Sequence, residues 1–324
     1  MLDRRYLMLA GAAGALLPST TLAQAPGRTY RVAVISPSQG SADEIRSVVF
    51  PELAKAGFIE GDNLAITMHV GTPAELSGLA RQALAPMPDV VIASTNAGVR
   101  AILEHSKSVP IVMAFAGEDP VATGLAKSLA RPGGSVTGLT NQATELDGKR
   151  ISLLHDAVPA ARRIGVLAVP PPRHIDSLRE MERVGNILKL EIYPFYAHEP
   201  SAYPAAFKDM RTAKIEAVAC AAAPEYFRDR AVLGRLALEA GLPVIGEDAG
   251  MARAGCLIGY GPNRIAFRRR AADFVTAILR GTPPGELPIE QPTVFEFALN
   301  LKTAKALGLA IPSTIQFQAN EVIE

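Results

Sequence analysis

RVAVISPS, at residues 31–38, begins the pattern that decides the fold of this chain. Its first part is an apolar run rich in β-branched residues, and the turn residues Ser36-Pro37-Ser38 end it. Apolar side chains at helical spacing then predict a helix over residues 43–56. Apolar strands without polar alternation are typical of parallel sheets whose two faces are both covered by helices. This stretch therefore predicts the first strand–turn–helix unit of an α/β protein.

The same alternation of apolar runs and helical patterns continues along the chain. Strands are predicted at residues 31–35, 64–70, 89–93, 110–115, 163–169, 191–197, 217–222, 243–246, 256–260 and 293–299, and helices at residues 43–56, 73–85, 96–105, 175–190, 203–213, 225–240, 264–279 and 302–307. Two similar βαβ arrays result, over residues 30–140 and 149–260. The segments after them are too few for a core of their own, so we expect them to complete both arrays.

The fold prediction is therefore α/β, with two Rossmann-like lobes of parallel strands joined by a multi-strand hinge. The first lobe is predicted to comprise residues 26–142 and 261–288. The second lobe is predicted to comprise residues 143–260 and 289–324. Hinged lobes around a cleft suit a protein that closes on a ligand.

The N-terminus has the pattern of a secretory signal peptide, predicted over residues 1–25. A basic start at residues 4–5 precedes an apolar run, and small residues follow it. The apolar run is shorter than the roughly 20 helical residues that span a bilayer. Cleavage is predicted near Ala23, because Pro26 would hinder a cut after Ala25. We therefore expect a periplasmic protein, although a membrane anchor or a disordered N-terminus stays open, as does export by the general or the twin-arginine route.

Composition argues against several classes of function. The chain has 33 basic and 32 acidic residues, a formal net charge of +1, so it lacks the charge excess of a nucleic-acid-binding protein. The two cysteines, Cys220 and Cys256, have no metal-ligand spacing, and either a disulfide or two buried thiols would suit them. The chain also lacks the common nucleophile, zinc-protease and phosphate-loop motifs. We predict a protein that is not an enzyme and needs no metal or cofactor.

Candidate ligand groups follow from strand ends. In open parallel sheets, ligands bind at the carboxyl ends of strands, beside the N-termini of helices. Thr95 and Asn96 begin a predicted helix, where hydroxyl, amide and backbone N–H groups would suit a carboxylate, and Ser38 and Gln39 follow the first strand in the same way. Helix capping is the structural alternative for all four residues.

Two aromatic residues and one acid complete the candidate site. Phe115 and Tyr226 would form ring-stacking walls, or else pack in the core. Asp248, with its neighbour Glu247, would neutralise a ligand ammonium group, or else belong to a surface turn. His174 is the histidine of the predicted cleft loops, and it would be the first suspect if the protein were an enzyme instead.

Several segments are similar, in order along the chain, to the ABC-transporter substrate-binding proteins, a family that includes tryptophan- and phenylalanine-binding periplasmic components. These segments are GFIEGDN at residues 57–63, DPVATGL at 119–125, SLARPGG at 128–134, YG at 260–261, LPIEQPT at 287–293 and NLKTAKALGL at 300–309. The resemblance implies a type I periplasmic-binding fold with three hinge strands and a ligand closed between two lobes. It also implies a membrane permease and an ATPase as partners.

The resemblance leaves the ligand open, and an amino acid or a small aromatic or organic acid would fit. A sensory protein that presents its liganded form to a membrane kinase or chemoreceptor is an alternative to a transport receptor. An exported enzyme on the same scaffold is a second alternative. A cytoplasmic transcription regulator would need a DNA-binding headpiece where this chain carries the signal pattern, so we rank it last.

Overall fold

The computed structural model describes residues 27–141, 143–171 and 174–324. The predicted signal peptide and its cleavage site lie outside these residues. Within the described part, no helix combines the length and the apolar character that crossing a membrane requires.

Strands and helices alternate along most of the chain, and the strand at Val136–Thr140 and the helix at Ala143–Ala157 were not predicted. The elements, in chain order, are β1 (Tyr30–Ser36), α1 (Gln39–Lys55), β2 (Leu64–Val70), α2 (Leu76–Leu84), β3 (Val90–Ala93), α3 (Asn96–His105), β4 (Ile111–Ala116), β5 (Val136–Thr140), α4 (Ala143–Ala157), β6 (Arg163–Ala168), α5 (Ile175–Leu188), β7 (Glu191–Tyr196), α6 (Tyr203–Thr212), β8 (Ala217–Cys220), α7 (Pro224–Arg228), α8 (Arg230–Ala240), β9 (Val244–Gly246), α9 (Ala249–Arg253), β10 (Ile258–Pro262), α10 (Arg264–Leu279), β11 (Ile289–Glu290), β12 (Phe295–Asn300), α11 (Leu301–Ala306), α12 (Ser313–Gln318) and β13 (Glu321–Ile323).

The strands form two sheets, and each sheet with its helices is called a lobe below. The first sheet has the order β11-β5-β4-β3-β1-β2, and all its neighbours pair in parallel. The second has the order β13-β12-β10-β9-β8-β6-β7 and is parallel except between β10 and β12. This arrangement confirms the predicted α/β fold of two Rossmann-like lobes.

Strand β1 explains why the deciding stretch carries no polar alternation. Val32 and Val34 pack in the core formed with α1 and α10, whereas Ala33 and Ile35 pack in the opposite core with α2 and α3. All four side chains are almost completely buried. Because both faces of the strand are covered, both sets of alternate residues must be apolar.

The chain passes between the sheets at three places: after β5, after β10 and after β11. The predicted lobe limits stay a prediction, but strand pairing differs from them at two short stretches. Gly261 and Pro262 pair with β12 in the second sheet, and Ile289 and Glu290 pair with β5 in the first. A two-residue strand such as β11 has no periodicity to detect, because backbone pairing alone defines it.

Candidate functional site

A cavity of about 760 Å³ lies between the two lobes and is lined by residues from both. Its wall includes the loops that follow β1 and β3 in the first sheet and β6 and β8 in the second. In each sheet these two strands are neighbours from which the chain winds in opposite directions. Such switch points are where ligands bind in open α/β sheets. The topology therefore directs both lobes to present their binding loops to one cavity.

The wall from the first lobe is rich in hydrogen-bonding groups. Ser38 and Thr95 precede α1 and α3 and line the cavity. The Thr95 hydroxyl accepts a hydrogen bond from the Gly98 N–H at 3.2 Å, so it caps α3 as well. Beneath them the Ser94 hydroxyl donates to the Ser36 hydroxyl at 3.0 Å, which ties the ends of β3 and β1 together. The N-termini of two helices are thus held against the cavity.

Asn96 has a donor that nothing in the described structure satisfies. Its Oδ1 accepts hydrogen bonds from the backbone N–H groups of Gly117 and Glu118, at 2.9 and 3.1 Å, which fixes the orientation of the amide. Its Nδ2 is buried in the cavity wall without a partner among the described residues. Asn141, near the crossing after β5, likewise has an Oδ1 without a partner there. A buried polar atom needs a hydrogen-bond partner, and in a cavity wall water or a ligand can supply it.

Arg264 joins the two lobes across the cavity. Its guanidinium lies over the ring of Phe115 from the first lobe, 4.7 Å from the centroid, and over Phe227 from the second, at 3.9 Å. The same guanidinium pairs with Glu44 at 3.3 Å and with Asp248 at 3.6 Å. Arg264 therefore stacks on aromatic rings and forms ion pairs with residues of both lobes.

Arg268, one turn further along α10, is buried beside it. It pairs with Glu44 at 2.7 Å and donates to the hydroxyl of Ser41 at 2.8 Å. Burial and, secondarily, the neighbouring Arg264 lower the pKa of Arg268 to about 10. Arg268 therefore stays charged at neutral pH and neutralises the negative charge of Glu44.

Glu247 and Asp248 follow β9, and only Glu247 lines the cavity. Its backbone carbonyl accepts a hydrogen bond from Arg150 at 3.1 Å, whereas its carboxylate has no hydrogen bond or ion pair within the described residues. Burial raises the pKa of Glu247 to about 8, and Asp248 adds to this while Arg264 opposes it. The cavity thus carries a buried acid with no counter-ion in contact.

Two glycines of β10 allow the loop of Glu247 to lie where it does. A Cβ at Gly261 would lie 1.9 Å from the Glu247 carbonyl oxygen, and one at Gly259 would lie 2.0 Å from that of Asp248. Both distances are far below contact, so only glycine lets the loop after β9 approach the strand this closely. This close approach explains why glycine follows tyrosine in the YG segment.

Of the seven predicted ligand residues, four line the cavity: Ser38, Thr95, Asn96 and Phe115. The structure places the side chains of the other three outside the cavity wall. The side chain of Gln39 lies on the exposed surface of α1 and donates to Asp43 at 2.7 Å. Tyr226 is fully buried in the core of the second lobe, where its hydroxyl donates to the Ala197 carbonyl at 2.7 Å.

Asp248 is the third of these residues, and its carboxylate lies against Arg264 and does not line the cavity. Glu247 lines it instead, as Phe227 does in place of Tyr226. Arg264 and Phe227 were absent from the prediction. Glu247 directly follows a strand end, and this position could have predicted it as a cavity residue. Arg264 begins a helix, and no sequence motif distinguishes it there.

The two cysteines and His174 are the other residues that could take part in chemistry, and their packing and hydrogen bonds are as follows. Cys220 and Cys256 are buried and unpaired, and burial raises the pKa of both thiols, that of Cys256 to about 12. His174 lines the cavity, and its Nδ1 accepts a hydrogen bond from the Val169 N–H at 3.0 Å. Among the described residues, no cluster of His, Cys, Asp or Glu could hold a metal ion.

Comparison with known proteins identifies the family. The family described as ABC transporter substrate binding protein matches residues 31–323. A curated relative, the tyrosine-binding protein of Clostridioides difficile (strain R20291), is 25% identical over 275 residues, which cover 83% of this chain and 78% of the relative.

Two solved structures share the fold. A conserved domain protein from Vibrio cholerae O1 biovar El Tor superposes with a TM-score of 0.83 at 25% identity, over 91% of this chain and 100% of the other. An ABC domain in complex with L-Trp from Streptococcus pneumonia superposes with a TM-score of 0.81 at 20% identity, over the same shares. With the two-lobed fold and the cavity between the switch points, these matches lead to one conclusion: the chain belongs to the ABC transporter substrate binding proteins.

Proposed function

We propose that this protein is the extracytoplasmic solute receptor of an ABC importer, and that its cargo is a small carboxylate of the amino-acid or aromatic-acid class. The receptor closes its lobes on the solute and delivers it to a membrane permease that an ATPase drives. The family and the relative named for tyrosine support this role. The N-terminal signal pattern supports the location outside the cytoplasm.

One observation carries the proposed cargo class: the unpartnered Nδ2 of Asn96 at the N-terminus of α3, inside the cavity. The first backbone N–H groups of a helix have no partners within it, and the helix dipole favours negative charge there. A carboxylate would accept hydrogen bonds from the amide and from these N–H groups together. Rings from both lobes, Phe115 and Phe227, provide an apolar wall beside this position.

Thermal unfolding against a ligand panel tests the proposal. The panel contains L-Trp, L-Tyr, L-Phe and their deaminated acids, with an aliphatic amine as a compound that lacks a carboxylate. A ligand at 100 times its Kd stabilises the native state by about 2.7 kcal/mol, which raises the Tm of a protein of this size by about 4 °C. Because the chain contains no tryptophan, binding of L-Trp can also be followed by the fluorescence of the ligand.

The variant Asn96→Asp tests whether the carboxylate of the ligand binds at Asn96. Aspartate keeps an acceptor for the two backbone N–H groups but replaces the free donor by a negative charge. Hydrogen bonds to charged groups contribute about 1.5–3 kcal/mol, so we expect carboxylate affinity to fall by about 10- to 100-fold. Unchanged affinity in this variant would remove Asn96 from the site, and no Tm shift with any carboxylate would reject the proposed cargo.

A further inference from the structure

We propose that the carboxylate of Glu247 binds an ammonium group of the solute, so that the cavity selects amino acids over the same acids without the amine. This inference rests on the proposed function, because it decides which class of small carboxylate the cavity accepts. It is carried by the surroundings of Glu247, which differ from those of the other charged groups in the cavity wall.

Other charged side chains of the wall have protein partners. These pairs are Arg228 with Asp229 at 2.6 Å, Glu118 with Arg100 at 2.7 Å, Glu199 with His198 at 3.9 Å, and Arg264 and Arg268 with Glu44 at 3.3 and 2.7 Å. Glu247 has no such partner within the described chain, although its side chain is buried and faces the cavity. The wall therefore carries an uncompensated acid where its cations are already neutralised.

The nearest cation is committed elsewhere. Arg264 uses its Nε toward Asp248, at 3.6 Å, and its terminal nitrogen toward Glu44, at 3.3 Å. Its guanidinium also stacks on two aromatic rings, one from each lobe. Of the two adjacent acids, Asp248 pairs with Arg264 and does not line the cavity, whereas Glu247 lines the cavity and has no ion pair within the described residues.

Physical chemistry favours an ammonium group as the missing partner. A buried carboxylate without a counter-charge is costly, and it lowers this cost by taking up a proton or by pairing with a cation. An ammonium group supplies both a positive charge and three hydrogen-bond donors, and charge-assisted hydrogen bonds are the strong ones. A solute with only a carboxylate would leave Glu247 uncompensated, and its negative charge would add to the repulsion.

The two poles of the cavity belong to different lobes. Asn96, with its free donor, lies at the switch point of the first sheet, and Glu247 follows β9 of the second. A zwitterion that engages both groups therefore bridges the lobes through opposite charges. An amino acid carries both of the charges that such a solute needs.

The test compares each amino acid with its deaminated acid, by calorimetry or ligand fluorescence. The pairs are L-Trp with indole-3-propionate and L-Tyr with 3-(4-hydroxyphenyl)propionate, measured on the wild type, Glu247→Gln and Glu60→Gln. Glu60→Gln is the control, because it removes the same charge from an exposed residue that pairs with Arg46 and does not line the cavity. Losing one partner of a buried charge pair weakens binding by about 30-fold or more. We expect that loss for the amino acids in Glu247→Gln, and little change in the control.

The expected signature is a change of preference. The wild type should bind the amino acid far better than the deaminated acid, and Glu247→Gln should bind the two about equally. If the wild type binds both alike, or if Glu247→Gln keeps the preference, the inference fails while the proposed carboxylate cargo stands. If carboxylates do not bind but tryptamine or tyramine binds in a Glu247-dependent way, the cargo class fails and the inference stands. If neither the compounds with an ammonium group nor the deaminated acids bind the wild type, both are rejected.

Discussion

Adjacent residues in this protein have different surroundings, and the three predicted residues that lie outside the cavity wall show the pattern. Ser38 lines the cavity while Gln39 faces solvent, and Glu247 lines it while Asp248 pairs with Arg264. Phe227 stands in the wall and its neighbour Tyr226 in the core. Sequence position locates a strand end or a helix start, but it does not fix the rotation of the backbone there. A single step along the chain reverses the side of a strand, or turns a helix by a quarter or more.

The charge of Glu247 should make amino-acid binding depend on pH. Burial raises the pKa of Glu247 to about 8, with Asp248 and Asp147 adding to the shift and Arg264 and Arg150 opposing it. Binding an ammonium group requires the ionised form, so it lowers this pKa and releases a proton. Affinity should therefore weaken as pH falls below about 8, by up to about tenfold per pH unit.

Calorimetry between pH 6 and 8.5 would measure this dependence. Repeating each titration in buffers of different ionisation enthalpy gives the number of protons released on binding. The dependence should be absent in Glu247→Gln, which has no proton to release. A flat profile in the wild type would indicate that Glu247 keeps its protonation state when the solute binds.

At the level of elements, long periodic segments follow the sequence closely. Strand β2 and the helices α3 and α10 have the predicted bounds, because each has a covered apolar face. The helix predicted over residues 225–240 is interrupted at Asp229, whose carboxylate accepts a hydrogen bond from Tyr203 at 2.9 Å. Helix α4 and strand β5 were not predicted, and neither were the short elements α9, β11, α12 and β13. A short strand such as β11 or β13 depends on pairing with distant segments.

Strand β10 positions the loop of Glu247, and Gly261→Ala should disturb it. The added methyl group would meet the Glu247 carbonyl at 1.9 Å, so the strand or the loop must move. Overpacking of this kind costs about 1–3 kcal/mol of unfolding free energy, and we expect amino-acid affinity to fall with it. Denaturant unfolding and ligand titration measure the two effects.

Gly78→Ala is the matched control for that change. Gly78 lies within α2, where an added Cβ would meet no atom within 4 Å. Alanine is the better helix former by about 1 kcal/mol, so this variant should be neutral or more stable. Equal behaviour of the two variants would mean that the close approach at Gly261 is not what holds the loop.

For the whole molecule, Arg264 is the side chain that ties the lobes together. Arg264→Met would remove its contact with Phe227 and leave Asp248 buried without a counter-ion. Breaking a buried ion pair from one side costs about 3–5 kcal/mol, and the ligand-free lobes should separate further. Thermal unfolding and the radius of gyration from small-angle X-ray scattering would record both changes.

Arg269→Met is the control on the same helix. Arg269 pairs with Glu52 at 3.1 Å but is largely exposed, so its loss should cost less than about 1 kcal/mol. The double variant Arg264→Met/Asp248→Asn should recover stability, because no buried charge is left alone, but it should not recover compactness. A radius of gyration that stays the same in Arg264→Met would show that the lobes are held by other contacts.

The architecture of two lobes was predictable because strand and helix patterns repeat along the chain. The routes between the lobes were harder to predict, since a crossing is defined by which sheet a strand joins. From the sequence, only the loops that border the cavity could be predicted, through the rule that ligands bind at the carboxyl ends of strands. Its charge balance needed the structure, because the pairing of Arg264 and Arg268 with Glu44 joins residues from distant parts of the chain.

The three crossings also set the order in which the protein can be built. The core of the first lobe includes Phe274, Val275 and Ile278 of α10, and its sheet is completed by β11. Both segments leave the ribosome after the whole βαβ array of the second lobe has been made. Since domains generally fold as units during synthesis, the N-terminal array must wait with an apolar face uncovered while the second array is translated. The lobe that is translated first is therefore completed late, and chaperone contact is most needed in that interval.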